Sequence, residues 1–442
     1  MERARVWRFA AILALTCGLG FPAGRAEGDT VTEWNEIMLD AIRTAGTAPP
    51  AASRGMAMVQ AAVFDAVNGV THDYHWYRVA GSAAAGTSAE AAAASAAHDV
   101  LAHLYPGQSG TFDAALANSL AGIPDGPGEA GGVALGQYVA SEMIAWRSGD
   151  GSTGAGDYTV SGGVGEWRPT LPGYAPPLAP GWRYVAPFGV GSPSAFRPAG
   201  PPVLTSTEYA AAHEEVRLLG AVDSGTRTAD ETEVAQFWAD GPGTATPPGH
   251  WNGIGQTVAA MQGYTLSENA RLFGLLNVAL ADAAITAWDA KYEYDLWRPI
   301  TAIREADSDG NGATVEDGAW LPLLDTPAFP EYVSGHSTFS GAAARVLALF
   351  VGDDVFSFSD SPEDMPGVTR YYTSFSEASV EAGRSRIYGG IHFASGDVDG
   401  ASAGMGVADY VFTHCMTVPE PGSLVLMGLG VGWLVAGARK RR

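Results

Sequence analysis

From Ser267 to Pro299 the chain carries a single apolar stripe that is far too long for a strand. Leu272, Leu275, Leu276, Ala279, Leu280 and Ala283 recur at intervals of three and four and lead on to Trp288 and Lys291, the period of a helix with one buried face. Ser267 is placed to cap its start, and Pro299 forbids its continuation. The reading puts residues 291–299 in the last two turns, so that Lys291 and Arg298, seven apart, share a face. Two cations beside Trp288 and Trp297 are costly to bury unless they meet an anion.

The same period governs residues 34–42 and 57–67, and residues 89–105 are Ala-rich with Val100, Leu101 and Leu104 on one side. It returns at 208–219, 231–238, 338–350 and 378–387, the last behind a Ser374/Glu377 capping-box pattern. The fold class is therefore all-α, a helical bundle with long Gly/Pro-rich loops. The longest loop, 148–205, is rich in Trp and Tyr as well as Gly and Pro, and is expected to drape in order over the helices. It separates an N-terminal helical half, 27–147, from a second helical half, 206–417.

Charge narrows the function. The 442 residues include 25 Lys and Arg against 48 Asp and Glu, which disfavours nucleic acid as a partner. Eight of the basic residues lie in the terminal segments 1–26 and 439–442; without those segments 17 basic face 47 acidic residues. Any Lys/Arg cluster in so acidic a body needs a reason. Residues 1–26 combine Arg3, Arg5 and Arg8, an apolar run and Ala23-Gly24-Arg25-Ala26, and are expected to be a secretory signal. Its removal takes Cys17 and leaves Cys415 as the one cysteine. At the other end Val418-Pro419-Glu420-Pro421 precedes an apolar stretch, 422–438, and a basic cluster, the order of a membrane stop.

Three clusters carry chemistry. Lys291 and Arg298 form the first. Ser334-Gly335-His336 opens an Ala-rich helix, where backbone N–H groups, the helix dipole and an imidazole converge. In the third, His392 lies six beyond Arg386 after Gly389-Gly390, which lets the chain double back. Three cations, a hydroxyl, an N–H and two imidazoles are what a tetrahedral or trigonal-bipyramidal oxyanion requires. Other candidates fare worse. His72, His75, His98 and His103 lack metal-ligand spacing and are read as structural. The run from Asp307 imitates a calcium loop but puts Gly318 where a bidentate Glu belongs, so it is read as a turn. Ser334 lacks the Gly-x-Ser-x-Gly elbow of a hydrolase.

The clusters resemble the motifs Lys-x6-Arg-Pro, Pro-Ser-Gly-His and Ser-Arg-x5-His of the vanadium-dependent haloperoxidase and type 2 phosphatidic acid phosphatase (PAP2) superfamily, over roughly residues 265–415. The resemblance implies a helical bundle of that type. It further implies that Lys291, Arg298, Ser334, Gly335 and Arg386 bind the oxygens of vanadate or phosphate. His392 would be the vanadium ligand, or the nucleophile toward phosphorus, and His336 the acid–base residue. Trp288 and Phe329 fall where aromatics stand near a halide site. Two positions depart from the pattern: Val333 replaces a proline, and Gly396 stands four after His392 where an acid is usual, with Asp397 one later.

The expected function is a vanadium-dependent haloperoxidase that oxidises halide with hydrogen peroxide at a vanadate cofactor. The alternative is a cofactor-free phosphatase that hydrolyses phosphate esters through a phosphohistidine, and a third reading is a surface-displayed binding protein with a relict site. The haloperoxidase reading is preferred because no uninterrupted apolar run of membrane-spanning length lies between the termini. The tail, 418–442, resembles a PEP-CTERM sorting signal, which implies sorting machinery as a partner, transient anchoring by the tail helix and a cell-envelope location, periplasmic or extracellular.

Overall fold

A computed structural model describes residues 29–419. The expected secretory signal at 1–26 and the tail from residue 420 onward lie outside these described residues.

The first half comprises α1 (Thr30–Ala45), α2 (Pro49–Thr71), α3 (Ala89–Leu104), α4 (Ser109–Ala121) and α5 (Pro127–Arg147). After the irregular stretch come α6 (Thr207–Leu219), α7 (Ala229–Phe237), α8 (Thr246–Gln262), α9 (Leu266–Tyr294) and α10 (Pro299–Arg304). Then follow α11 (Gly335–Val351), strands β1 (Val355–Asp360) and β2 (Arg370–Ser374), α12 (Phe375–Tyr388) and α13 (Ala394–His414). The architecture is the expected all-α bundle. The one departure among the described residues is the β1–β2 antiparallel pair, joined with Phe358 opposite Tyr372.

The stripe noted in the sequence belongs to α9, the axis of the molecule. It packs against α2 of the first half and against α8, α11 and α13 of the second. From Leu272 to Tyr292 every residue is buried, as expected of a helix surrounded by others. Small residues bring α11 and α13 close: a Cβ on Gly341 or Gly404 would strike the backbone of the facing helix. A second apolar cluster, containing Trp182, Tyr209, Trp297 and Tyr332, surrounds the C-terminal part of α9.

Two details at the ends of α9 differ from the sequence reading. Its cap is Thr265, whose side chain and backbone form a reciprocal box with Glu268; Ser267 lies inside the first turn. Thr265 wins because Glu268 stands three residues on and completes the box. At the other end the helix stops at Tyr294, and Asp295 turns left-handed at φ 51° with its N–H on the Lys291 carbonyl. Residues 295–297 then pair with the long loop: Trp167 N–H donates to Asp295 O at 2.8 Å, and Trp297 N–H to Gly165 O at 2.9 Å. Arg298, before Pro299, is extended and opens α10. Lys291 and Arg298 therefore do not share a face of one helix; the break in the chain lets them reach the same site from different elements.

Residues 148–205 hold only a short 3-10 turn, Pro180–Tyr184, yet are tied down along α9. Asp282 accepts the N–H groups of Phe188, Gly189 and Val190 at 2.6–2.8 Å, Asp289 pairs with Arg197, and Asp295 takes the Tyr158 hydroxyl at 2.6 Å.

Candidate active site

α11 starts where the sequence suggests. Ser334 is its N-cap, accepting the Ser337 N–H at 3.3 Å, and Gly335 and His336 of the first turn line the site. Behind the cap, the Ser337 hydroxyl lies 2.8 Å from both Ser334 Oγ and Asp397 Oδ1. Asp397 thus braces the start of α11 and makes no bond to His392.

The other elements bring their groups to the same place. Gly335, His336, Arg386, His392, Trp288 and Phe329 line a cavity of about 40 Å³, which Pro49 of α2 and Pro247 of α8 help to close. Arg298 reaches its edge, with Nη1 3.1 Å from His392 Nε2. Its Nε donates to the Phe329 carbonyl at 2.7 Å and Nη1 to that of Ile391 at 2.8 Å. Arg386 Nη1 donates to the carbonyl of Trp238 at 2.7 Å. Trp238 stacks in turn on His250, which is held between Asp240 and Asp360.

Lys291 and Ser334 stand one layer back. All three Nζ donors of Lys291 go to carbonyls, those of Pro330 and Glu331 at 3.0 Å each and that of Val333. Its charge lies 4.9 Å from the centre of the Phe329 ring, and the Arg298 guanidinium 4.7 Å from the same ring. Trp288 meets Phe329 at 5.1 Å between ring centres.

Glu331 escaped the sequence reading. It is fully buried, and its Oε1 lies 2.8 Å from His392 Nδ1 and accepts the Phe393 N–H at 3.0 Å. The carboxylate beside His392 therefore comes from the segment before α11, although the familiar motif puts it four residues after the histidine. The available signal was an acid set among apolar residues three before Ser334. Trp238, Pro49 and Pro247 also went unnoticed, being close to the site only in space.

Burial governs the electrostatics. It pulls Arg298 down to about 9 and Arg386 down to about 10, and lowers Lys291, with Arg298 beside it contributing. It lowers both His336 and His392, aided by Arg386 near the first and Arg298 near the second. Glu331 is pushed up to about 7. Three buried cations face two buried acids, Glu331 and Asp397, both pushed up by burial, which leaves an excess of positive charge that an arriving anion would offset.

The donor set fits a bound oxyanion. Arg298 Nη2, Arg386 Nε and His336 Nε2 are buried without a hydrogen-bond partner, and such groups are expensive to leave unmet. His392 completes the fit: with hydrogen on Nδ1 toward Glu331, its Nε2 lone pair is the ligating position, met in this structure by Arg298 Nη1 at 3.1 Å.

Comparison with known proteins agrees. Residues 271–421 match the family model of the vanadium chloroperoxidase second helical-bundle domain, and residues 417–442 match the PEP-CTERM protein-sorting motif. Vanadium chloroperoxidase of Curvularia inaequalis is 28% identical over 230 residues, 39% of this chain and 37% of that protein's length. Among solved structures, a bacterial vanadium-dependent iodoperoxidase superposes with a TM-score of 0.78 at 28% identity, covering 88% of this chain and 98% of its own. A bacterial vanadium-dependent chloroperoxidase in its apo form gives 0.65 at 17% identity, covering 81% and 91%, and shares the fold. The matching second bundle, the shared fold and the PEP-CTERM tail together support a protein of the vanadium haloperoxidase/PAP2 type.

Proposed function

We propose that this chain is an exported vanadium-dependent haloperoxidase, oxidising halide with hydrogen peroxide at a vanadate held by His392. The observation that carries the reading is the pair of partnerless donors on Arg298 and Arg386, with the partnerless His336 Nε2, around His392 Nε2. Each residue has a task. Arg298, Arg386 and the N–H groups opening α11 bind oxyanion oxygens. His392 Nε2 supplies the ligand atom. Lys291 shapes the 330–333 turn and adds its charge from behind, and Ser334 caps the helix that aims the N–H groups. His336, kept neutral by burial and by Arg386, can take a proton at Nε2 and return it. Trp288 and Phe329 form an apolar wall beside the cations, suited to a weakly hydrated halide. When bound, vanadate supplies a Lewis-acid centre that activates hydrogen peroxide toward halide attack.

The likeness to an iodoperoxidase structure supports testing iodide alongside bromide. The PEP-CTERM match supports export, engagement of sorting machinery and an envelope location. The test is peroxide-dependent oxidation of iodide and bromide by purified protein with orthovanadate, run beside phosphate-ester hydrolysis in vanadate-free buffer. Halide oxidation that requires vanadate is the expected result. Hydrolysis that vanadate only inhibits, without halide oxidation, would overturn the proposal in favour of a phosphatase.

A further inference from the structure

We propose that Glu331 is the residue that positions His392, and that position 396 is glycine because Glu331 needs the space. The inference deepens the oxyanion-site reading and rests on it only for the vanadate measurement below.

One oxygen of Glu331 does two things. It lies 2.8 Å from His392 Nδ1 and accepts the N–H of the next residue, Phe393, at 3.0 Å. Ring and backbone are thus fixed from a single point, with hydrogen on Nδ1 and the Nε2 lone pair turned to Arg298 and the cavity. The acid itself is held from its backbone: its N–H donates to Leu296 O at 2.9 Å, and its carbonyl accepts from Lys291 Nζ at 3.0 Å. A carboxylate on the far nitrogen of a ligating imidazole sets tautomer and orientation, and its loss typically costs about 10–100-fold in affinity for the bound metal.

Gly396 lies on the other side of the carboxylate. A Cβ built there would overlap Glu331 Oε1 and come within 3.1 Å of Cδ and Oε2. Its backbone cannot easily retreat, because its carbonyl accepts the Ser334 N–H at 2.9 Å. The position is inside α13 and does not have a positive φ. Alanine would therefore be favoured over glycine on helix propensity alone. Backbone conformation does not explain the glycine; room for Glu331 does.

The test begins without vanadate. In the full chain labelled with 15N-histidine, ring-nitrogen shifts report the tautomer of His392. Wild type should carry hydrogen on Nδ1, and Glu331→Ala and Gly396→Ala should each shift it toward Nε2. Orthovanadate titration by calorimetry follows. Each single variant should bind roughly 10–100-fold more weakly, and the double variant no more weakly than Glu331→Ala, since the added methyl then has no carboxylate to displace. A tautomer unchanged in both single variants, or losses that multiply in the double, would overturn the proposal. Gly396→Ala leaves the acid chemically intact, so the tautomer test remains decisive if Glu331→Ala does not fold. Wild-type protein that binds no orthovanadate would refute the cofactor reading and leave the tautomer test standing.

Discussion

Arg298 points one nitrogen at His392 Nε2, 3.1 Å away, while its Nη2 has no partner. The guanidinium thus occupies the lone pair that a ligated oxyanion must take, and keeps a free donor for that anion. Lysine cannot do both, having neither the planar fork nor the second nitrogen. Arg298→Lys should lower orthovanadate affinity by about 1.5–3 kcal/mol, the worth of a hydrogen bond to a charged group. Calorimetric titration checks this, and an affinity equal to wild type would remove Arg298 from the cage.

Lys291 should behave as a structural cation as much as a binding one. Its three donors all meet carbonyls of the 330–333 segment, and each carbonyl left unmet in a buried site costs about 1–3 kcal/mol. Lys291→Met should lose at least about 3 kcal/mol in denaturant unfolding, together with oxyanion binding. A variant of wild-type stability that binds no vanadate would instead make Lys291 a direct ligand.

The pH behaviour of His336 has a definite sign. Burial and Arg386 depress its pKa in the folded chain, so below the unfolded value of about 6.5 the unfolded chain takes up a proton that the folded chain refuses. Stability tied to His336 is present above that pH and is lost as pH falls toward the folded pKa. Relative to His336→Gln, the ligand-free protein should lose about 1.4 kcal/mol per unit below pH 6.5. Parallel unfolding curves for the pair across pH 7 to 5 would contradict this.

Asp282 latches the long loop to α9 through three N–H groups. In Asp282→Ala these donors lose their buried acceptor, at a cost of about 1 kcal/mol or more each. The expected outcome is faster proteolytic cleavage within 148–205, followed by mass spectrometry, with α9 itself still resistant. Cleavage at the wild-type rate would mean that the latch adds nothing.

Much was legible in the chain because it depends on near neighbours. Leu272 through Ala283 announced α9 by period, Ser334-Gly335-His336 opens α11 as read, Ser374 caps α12 although Glu377 turns to Thr373 and does not close the expected box, and the glycines after Arg386 return His392 N–H to the Arg386 carbonyl at 3.3 Å. Such signals arise within a turn or two, where residue type and spacing suffice. Tertiary structure decided the rest. Arg298 leaves the helix because residues 295–297 pair with a loop more than a hundred residues earlier in the chain. The partner of His392 is Glu331, 61 residues away, and Lys291 turns its donors to carbonyls some forty residues on. Nothing local encodes these choices. They follow from how α9, α11 and α13 pack, because a buried donor or acceptor must bond to whatever that packing sets beside it.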